Sequence, residues 1–265
     1  MPNSASLSHI LNFARDVVEE AGQISRQAFR QPMAVENKLA ADFDPVTEAD
    51  KAVEAVIREK LSTQFPNHSI LGEETGSTTG SSDYGWIIDP IDGTRSFISG
   101  IPLWMSLLGL LENGKPVGSI IHQPYLQETF VGGPDGSFLF RGDEKQTLQT
   151  RSTTTLKNAT LFCTDPNIMF TLGDERTAFD TVAEKAQLVR YGADGYAYCM
   201  LANGFVDLVI ESSLQPYDIL PLVSLIEGAG GVVTDREGNA PLNGGFVVAA
   251  ATQELHQEVL KLINS

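Results

Sequence analysis

The chain is poor in the residues that would tie it to an oxidising compartment or a soft metal. Its 265 residues include two cysteines, Cys163 and Cys199. That is too few for a disulfide framework, and they lack the paired spacing of a zinc site. The histidines His9, His68, His122 and His256 are scattered, again without ligand spacing. Positive charge is scarce: 18 Lys and Arg against 34 Asp and Glu leave a net charge of -16. Such a balance disfavours nucleic acid or an anionic membrane as a partner. No apolar run approaches the ~18–20 residues of a membrane helix. Met1 to Ser8 lacks the basic and apolar regions of a signal peptide, so a reducing, cytoplasmic setting is expected. There is no internal repeat, and low complexity is confined to Gly76–Ser82.

The rest is an ordinary globular composition, 42% hydrophobic and 20% charged, long enough for one large domain or two modest ones. Apolar positions recur at helical spacing across residues 7–30 and predict one amphipathic helix. Met33–Leu39 reads as a short strand, with Lys38 opening a loop. In Asp42-Phe-Asp44-Pro45-Val46-Thr47-Glu48-Ala49-Asp50, Pro45 bars Asp44 from a helical conformation. Thr47 is a good N-cap for a helix running to about Gln64. Asp50 then sits in the first turn, where by itself it complements the helix dipole. Ser69 to Gly72 reads as a strand ending in Glu73 and Glu74, and Thr75 to Asp83 as a mobile surface loop.

The run Trp86-Ile-Ile-Asp89-Pro-Ile-Asp92-Gly93-Thr94 begins as a buried strand and delivers two aspartates three positions apart. It ends in Gly-Thr at a helix entry. Carboxylates at a strand end hold hard cations, and a helix entry holds an anion such as phosphate. Met105–Glu112 and Val117–Gln123 around Asn113-Gly114 form a hairpin signal, and Glu128–Gly132 and Phe138–Arg141 extend it to a meander. The second half alternates strands (159–163, 187–191, 206–210, 232–234, 246–250) with helices (174–185, 195–203, 217–229, 253–263). The expected fold is an α/β (α+β) layered sandwich of two subdomains. Residues 1–150 carry most of the metal ligands, 151–265 carry the substrate side and Asp218, and the site lies between them.

Four acidic clusters fall at element ends: Asp50, Glu73–Glu74, Asp89/Asp92 and Asp218. Oxygen-only donors select Mg²⁺, Mn²⁺ or Ca²⁺ over zinc. The spacing Asp89-x-x-Asp92 lacks the alternation of an EF-hand loop. It also differs by one residue from the Asp-x-Asp-Gly-Thr of haloacid-dehalogenase-type phosphatases. Alternate strand residues share a face and residues three apart do not, so metal-activated water is expected in place of an aspartyl phosphate.

Gly72-Glu73-Glu74, Trp86 to Thr94, and Pro216-Tyr217-Asp218 with Leu225-Ile-Glu-Gly-Ala-Gly-Gly231 resemble the motifs of the inositol monophosphatase family. Asp44 to Asp50 resembles its N-terminal motif, so the likeness runs over nearly the whole chain. It implies an α-β-α-β-α sandwich, often a homodimer, and a small phosphate monoester as substrate. It further implies two to three Mg²⁺ ions held by Glu73, Asp89, the carbonyl of Ile91, Asp92 and Asp218. The amides of Gly93 and Thr94 would cradle phosphate, and Thr94, Asp50 and Glu73 would activate water. Arg95 to Trp104 and Tyr191 to Tyr198 resemble the histidinol-phosphatase branch, apart from Gly195, where that branch more often has a larger residue. This implies Asp194 and Glu211 as acceptors for a cationic substrate, with Arg190 bridging to Asp194 or reaching the substrate. The structural alternative is that Asp194 caps the helix after it. The expected activity is Mg²⁺-dependent hydrolysis of L-histidinol phosphate to L-histidinol and phosphate, a step of histidine biosynthesis. An inositol-1-monophosphatase or a broad sugar or nucleotide phosphatase is the alternative. A non-catalytic cation-binding homologue is remote, because Asp50, Glu73, Asp89, Asp92, Thr94 and Asp218 are all intact.

Overall fold

The computed structural model describes residues 4–32, 35–37 and 45–265. Lys38, Asp42 and Asp44, the last being the first residue of the N-terminal motif, lie outside the described residues. The chain opens with α1 (Ser4–Ala28), followed by the short antiparallel pair β1 (Val35–Asn37) and β2 (Pro45–Thr47). Helix α2 (Glu48–Gln64) starts where the Thr47 cap predicts, because the Thr47 hydroxyl accepts the Ala49 N–H at 3.1 Å. Then come β3 (Ser69–Gly72), β4 (Gly76–Thr78), β5 (Tyr84–Asp92), α3 (Thr94–Ile98), β6 (Met105–Glu112), β7 (Lys115–Gln123), β8 (Glu128–Gly133), β9 (Gly136–Arg141) and β10 (Glu144–Thr147). After a 3-10 turn the chain continues through β11 (Thr160–Cys163), α4 (Pro166–Met169), α5 (Gly173–Ala183), β12 (Leu188–Tyr191) and α6 (Gly195–Ala202). It ends with β13 (Leu208–Leu214), α7 (Pro216–Gly228), β14 (Val232–Asp235), β15 (Gly245–Ala250) and α8 (Gln253–Ile263).

The first large sheet has eight strands in the order β10-β9-β8-β7-β6-β5-β3-β4, and the second has five in the order β12-β11-β13-β15-β14. The period of two along each strand sorts the core. Trp86 and Ile88 of β5 pack with α1 and α2, while Ile87 between them packs with α6 and α7. In β13, Val209 faces α6 and α7, whereas Leu208 and Ile210 face α5 and α8. The result is the layered α-β-α-β-α sandwich, with α6 and α7 shared between the sheets. The β6–β7 hairpin turns through Asn113 and Gly114, both at positive φ (51° and 77°), as an Asn-Gly loop favours. Among the described residues no helix is long and apolar enough to cross a membrane.

Two differences from the sequence reading bear on the site. The polar stretch after Glu74 is not all loop, since Gly76–Thr78 pairs antiparallel with β3 and Arg58 of α2 donates to the Gly76 carbonyl. Helix α4 was not foreseen, although Asp165-Pro166 carries its start signal: Asp165 accepts the Asn167 N–H at 2.8 Å and Pro166 stands at the first position.

The core also stores a pH dependence. His122 is buried, its Nδ1 3.0 Å from the Thr129 hydroxyl, which in turn donates to Glu19 at 2.8 Å. Burial lowers its pKa from 6.5 to about 4. Between those values the unfolded chain binds a proton that the folded chain refuses. Stability should therefore fall as pH drops from 6.5 towards about 4. Melting temperature against pH checks this: His122→Gln should flatten that part of the curve, and an unchanged slope would assign it elsewhere.

Candidate active site

Strand ends of both sheets and the starts of three helices converge on a cleft of about 220 Å³. Its lining includes Glu73 after β3, Asp89, Ile91 and Asp92 of β5, and Gly93, Thr94 and Arg95 at the start of α3. From the second sheet come Thr164 after β11, Glu211 and Leu214 of β13, Asp194 and Gly195 at α6, and Asp218 in the first turn of α7. Ile168 and Met169 of α4 close one side.

Asp89 is buried, and its Oδ1 has no hydrogen-bond partner. Its carboxyl is pushed well above the usual range, first by burial and then by the charges of Glu73, Asp92 and Asp218. Asp92 is raised in the same way, by burial first and then by Asp194 and Asp218. Among the described residues no group of three or more His, Cys, Asp or Glu is arranged to hold an ion as it stands. Two of the carboxylates have an oxygen engaged by backbone: Asp92 accepts the Gly195 N–H at 2.7 Å, and Asp218 accepts the Gln215 N–H at 2.7 Å. An orphaned carboxylate oxygen among mutually repelling oxygen donors nonetheless fits a hard cation.

Asp50 unites two roles that the sequence left as alternatives. Its Oδ2 accepts the Thr47 N–H and hydroxyl at 2.9 and 2.5 Å and completes a capping box. Its Oδ1 lies 3.5 Å from Thr94 Oγ1, which donates to the Ile91 carbonyl at 2.9 Å. Burial raises the Asp50 pKa, and the Glu73 charge adds to this against the Thr47 hydrogen bonds. Gly93 sits at φ 80°, where a Cβ would meet the Leu103 carbonyl at 2.9 Å and Asp194 Oδ2 at 3.1 Å. Gly195 is equally constrained: a Cβ there would stand 2.7 Å from Asp92 Oδ2. The small residue at 195 is thus what lets the α6 amide reach Asp92.

Asp194 occupies the N-cap position of α6 but makes no side-chain cap. Instead it accepts from Ser96 Oγ at 3.0 Å, and burial raises its pKa to about 6. Glu211 is buried, accepts the Thr164 N–H at 2.7 Å and the Tyr198 hydroxyl at 2.9 Å, and is raised by burial to about 7. Arg190 is exposed on β12 and does not line the cleft; the cation whose charge reaches Asp194 is Arg95. The run from Arg95 to Trp104 likewise divides. Phe97 and Trp104 stack edge to face at 4.9 Å in a small core beneath the site, and only Arg95 and Ser96 act towards the cleft.

A family model for the inositol monophosphatase family matches residues 6–265. The chain belongs to the inositol monophosphatase family. It is a phosphatase of that family, and its relatives divide over substrate. The chain is 39% identical over 256 residues to the bifunctional phosphatase IMPL2, chloroplastic, of Arabidopsis thaliana, covering 92% of this chain and 72% of that protein. It is 33% identical to a histidinol-phosphatase of Mycobacterium tuberculosis over 96% of this chain and 98% of that one. The solved structure of an inositol monophosphatase from Zymomonas mobilis matches with a TM-score of 0.85 at 34% identity, covering 97% and 98% of the two chains.

Within this inositol monophosphatase fold, sequence reasoning missed Thr164, Ile168, Met169 and Leu214. Thr164 follows the end of β11, and Ile168, Met169 and Leu214 reach the cleft through α4 and a register shift in β13 between Glu211 and Leu214. Ser213 lies in that shift at φ 61°, and its hydroxyl donates to the Met169 carbonyl at 3.0 Å. The apolar wall is therefore pinned to the strand that carries Glu211.

Proposed function

We propose that the protein is a Mg²⁺-dependent phosphomonoesterase acting on L-histidinol phosphate in the cytoplasm, as a homodimer. The observation that carries the substrate is Asp194, which gives up capping and lines the cleft with Glu211, together with the apolar Ile168, Met169 and Leu214. A phosphate ester whose organic part is cationic and carries a flat ring suits a cleft lined by both carboxylate acceptors and apolar side chains. The 33% identity to a histidinol-phosphatase supports the same reading. A polyol phosphate is the runner-up, favoured by the likeness to the Zymomonas mobilis structure.

Glu73, Asp89, the Ile91 carbonyl, Asp92 and Asp218 would hold Mg²⁺, which when bound offsets phosphate charge and acidifies water. The chain's own part is proton handling and orientation. With its hydroxyl turned from the Ile91 carbonyl to Asp50 Oδ1, Thr94 takes a proton from the attacking water as it passes its own to Asp50. Burial makes Asp50 the better acceptor, and Glu73 assists. The amides of Gly93 and Thr94 orient the phosphate. Water adds to phosphorus in line with the departing alkoxide; the P–O bond to the alcohol breaks, a second water protonates the leaving oxygen, and the hydroxide this leaves is neutralised by the proton that Asp50 gives up to solvent.

Phosphate release from histidinol phosphate and inositol-1-phosphate, measured side by side, tests both parts. With Mg²⁺, kcat/KM should favour histidinol phosphate by about 10-fold or more, and EDTA should stop both reactions. Preference for inositol-1-phosphate moves the assignment to the runner-up, and turnover that survives EDTA removes the metal.

A further inference from the structure

Glu54 is a buried carboxylate on α2 that none of the site motifs contains. Its donors come mostly from one turn. The Glu74 N–H reaches Oε2 at 2.7 Å, the Thr75 N–H reaches Oε1 at 3.1 Å, and the Thr75 hydroxyl donates to the same oxygen. The fourth donor is Arg58 Nε at 2.8 Å, and Arg58 in turn donates to the Gly76 carbonyl and to Thr78 Oγ1 of β4 at 3.4 Å. Gly72 runs so close that a Cβ there would collide with the Glu54 carboxylate. The two residues after Glu73 are thus held by one anion against which Gly72 packs, and the Glu73 N–H is fixed to the Ile88 carbonyl of β5 at 3.1 Å. The Glu73 charge bears on both Asp89 and Asp50.

We infer that Glu54 is a positioning residue, which holds the β3–β4 turn so that Glu73 is presented to the ion and water side of the cleft. This rests on Glu73 acting as a metal ligand. A purely structural ion pair with Arg58 would be one i,i+4 contact within α2. Here three of the four donors belong to the turn, and the arginine spends its remaining nitrogens on the same turn and strand. An unpaired buried carboxylate is costly, so turn and carboxylate fix one another.

Mn²⁺ binding, followed by electron paramagnetic resonance titration, separates this from simple stabilisation. Glu54→Gln should weaken Mn²⁺ binding by about 10-fold, with a similar fall in kcat and little change in KM, as expected of a partner that orients a ligand. Thr75→Val, at an exposed position, should shift both in the same direction by a smaller factor and serves if Glu54→Gln does not fold. In a Glu73→Gln background, Glu54→Gln should cause no further loss of Mn²⁺ affinity. Unchanged Mn²⁺ binding in Glu54→Gln and Thr75→Val overturns the inference, as does an equal loss in the Glu73→Gln background. A parent protein that binds no Mn²⁺ overturns the metal reading instead.

Discussion

Asp92→Asn should cut phosphate release by about 10³-fold or more while leaving the chain folded. The amide oxygen of asparagine can still accept the Gly195 N–H that Asp92 Oδ2 takes at 2.7 Å, so the α6 amide keeps its partner. What disappears is one negative charge in a cluster where burial, Asp194 and Asp218 all raise the proton affinity of this group. A carboxyl whose folded pKa lies above its unfolded value costs stability once pH exceeds the unfolded value, because folding must then hold an unwanted charge. Asparagine carries no such cost. Without Mg²⁺ the variant should therefore melt at a higher temperature than the parent at neutral pH. With Mg²⁺ the order should narrow or reverse, because the ion stabilises the parent by mass action and the variant far less. Activity down and metal-free stability up is a pairing that ordinary structural damage does not give. Near-normal turnover, or an equal Mg²⁺ response in both proteins, would remove Asp92 from the metal set.

The same cluster marks what could be read without coordinates. Asp89 and Asp92 were legible because a nine-residue apolar strand, Tyr84–Asp92, can only present carboxylates at its end. The layers were legible because period-two and period-3.6 patterns are local. Asp50 was legible as a first-turn acid complementing the helix dipole and, through the family likeness, as a partner of Thr94; that one carboxylate serves both the Thr47 capping box and Thr94 was not, since α2 and α3 meet only through the fold. Glu54 reads from sequence as one more acid on a helix face, and its task depends on a turn twenty residues away. The apolar wall was hidden for a similar reason. Ile168 and Met169 lie on a single-turn helix whose placement rests on Ser213, itself held at positive φ in a strand irregularity. The substrate-branch motif mixed two signals: Phe97 and Trp104 pack a local core, and Ser96 carries the contact to Asp194.

Asp194→Asn should separate the two candidate substrates. Asparagine can keep the Ser96 hydrogen bond seen at 3.0 Å and fits the space against Gly93 as aspartate does. The variant therefore removes charge with little change of shape. A charge-assisted hydrogen bond to an ammonium contributes about 1.5–3 kcal/mol, so KM for histidinol phosphate should rise roughly 10–100-fold. Inositol-1-phosphate offers neutral hydroxyls, which an amide oxygen accepts nearly as well, and its KM should move by less than about threefold. The parent should carry a pH signature of the same proposed interaction. Burial holds the Asp194 carboxyl up at about 6, so its ionised form, and with it the preference for histidinol phosphate, should fade as pH drops through that value. In Asp194→Asn that part of the pH dependence should be lost, leaving the part set by Glu211, held up at about 7, and by the substrate imidazole. Equal KM changes for both substrates would show that the residue shapes the cleft without reading charge. Glu211, buried and already paired with Thr164 and Tyr198, would then be the remaining acidic candidate for recognising a cationic substrate.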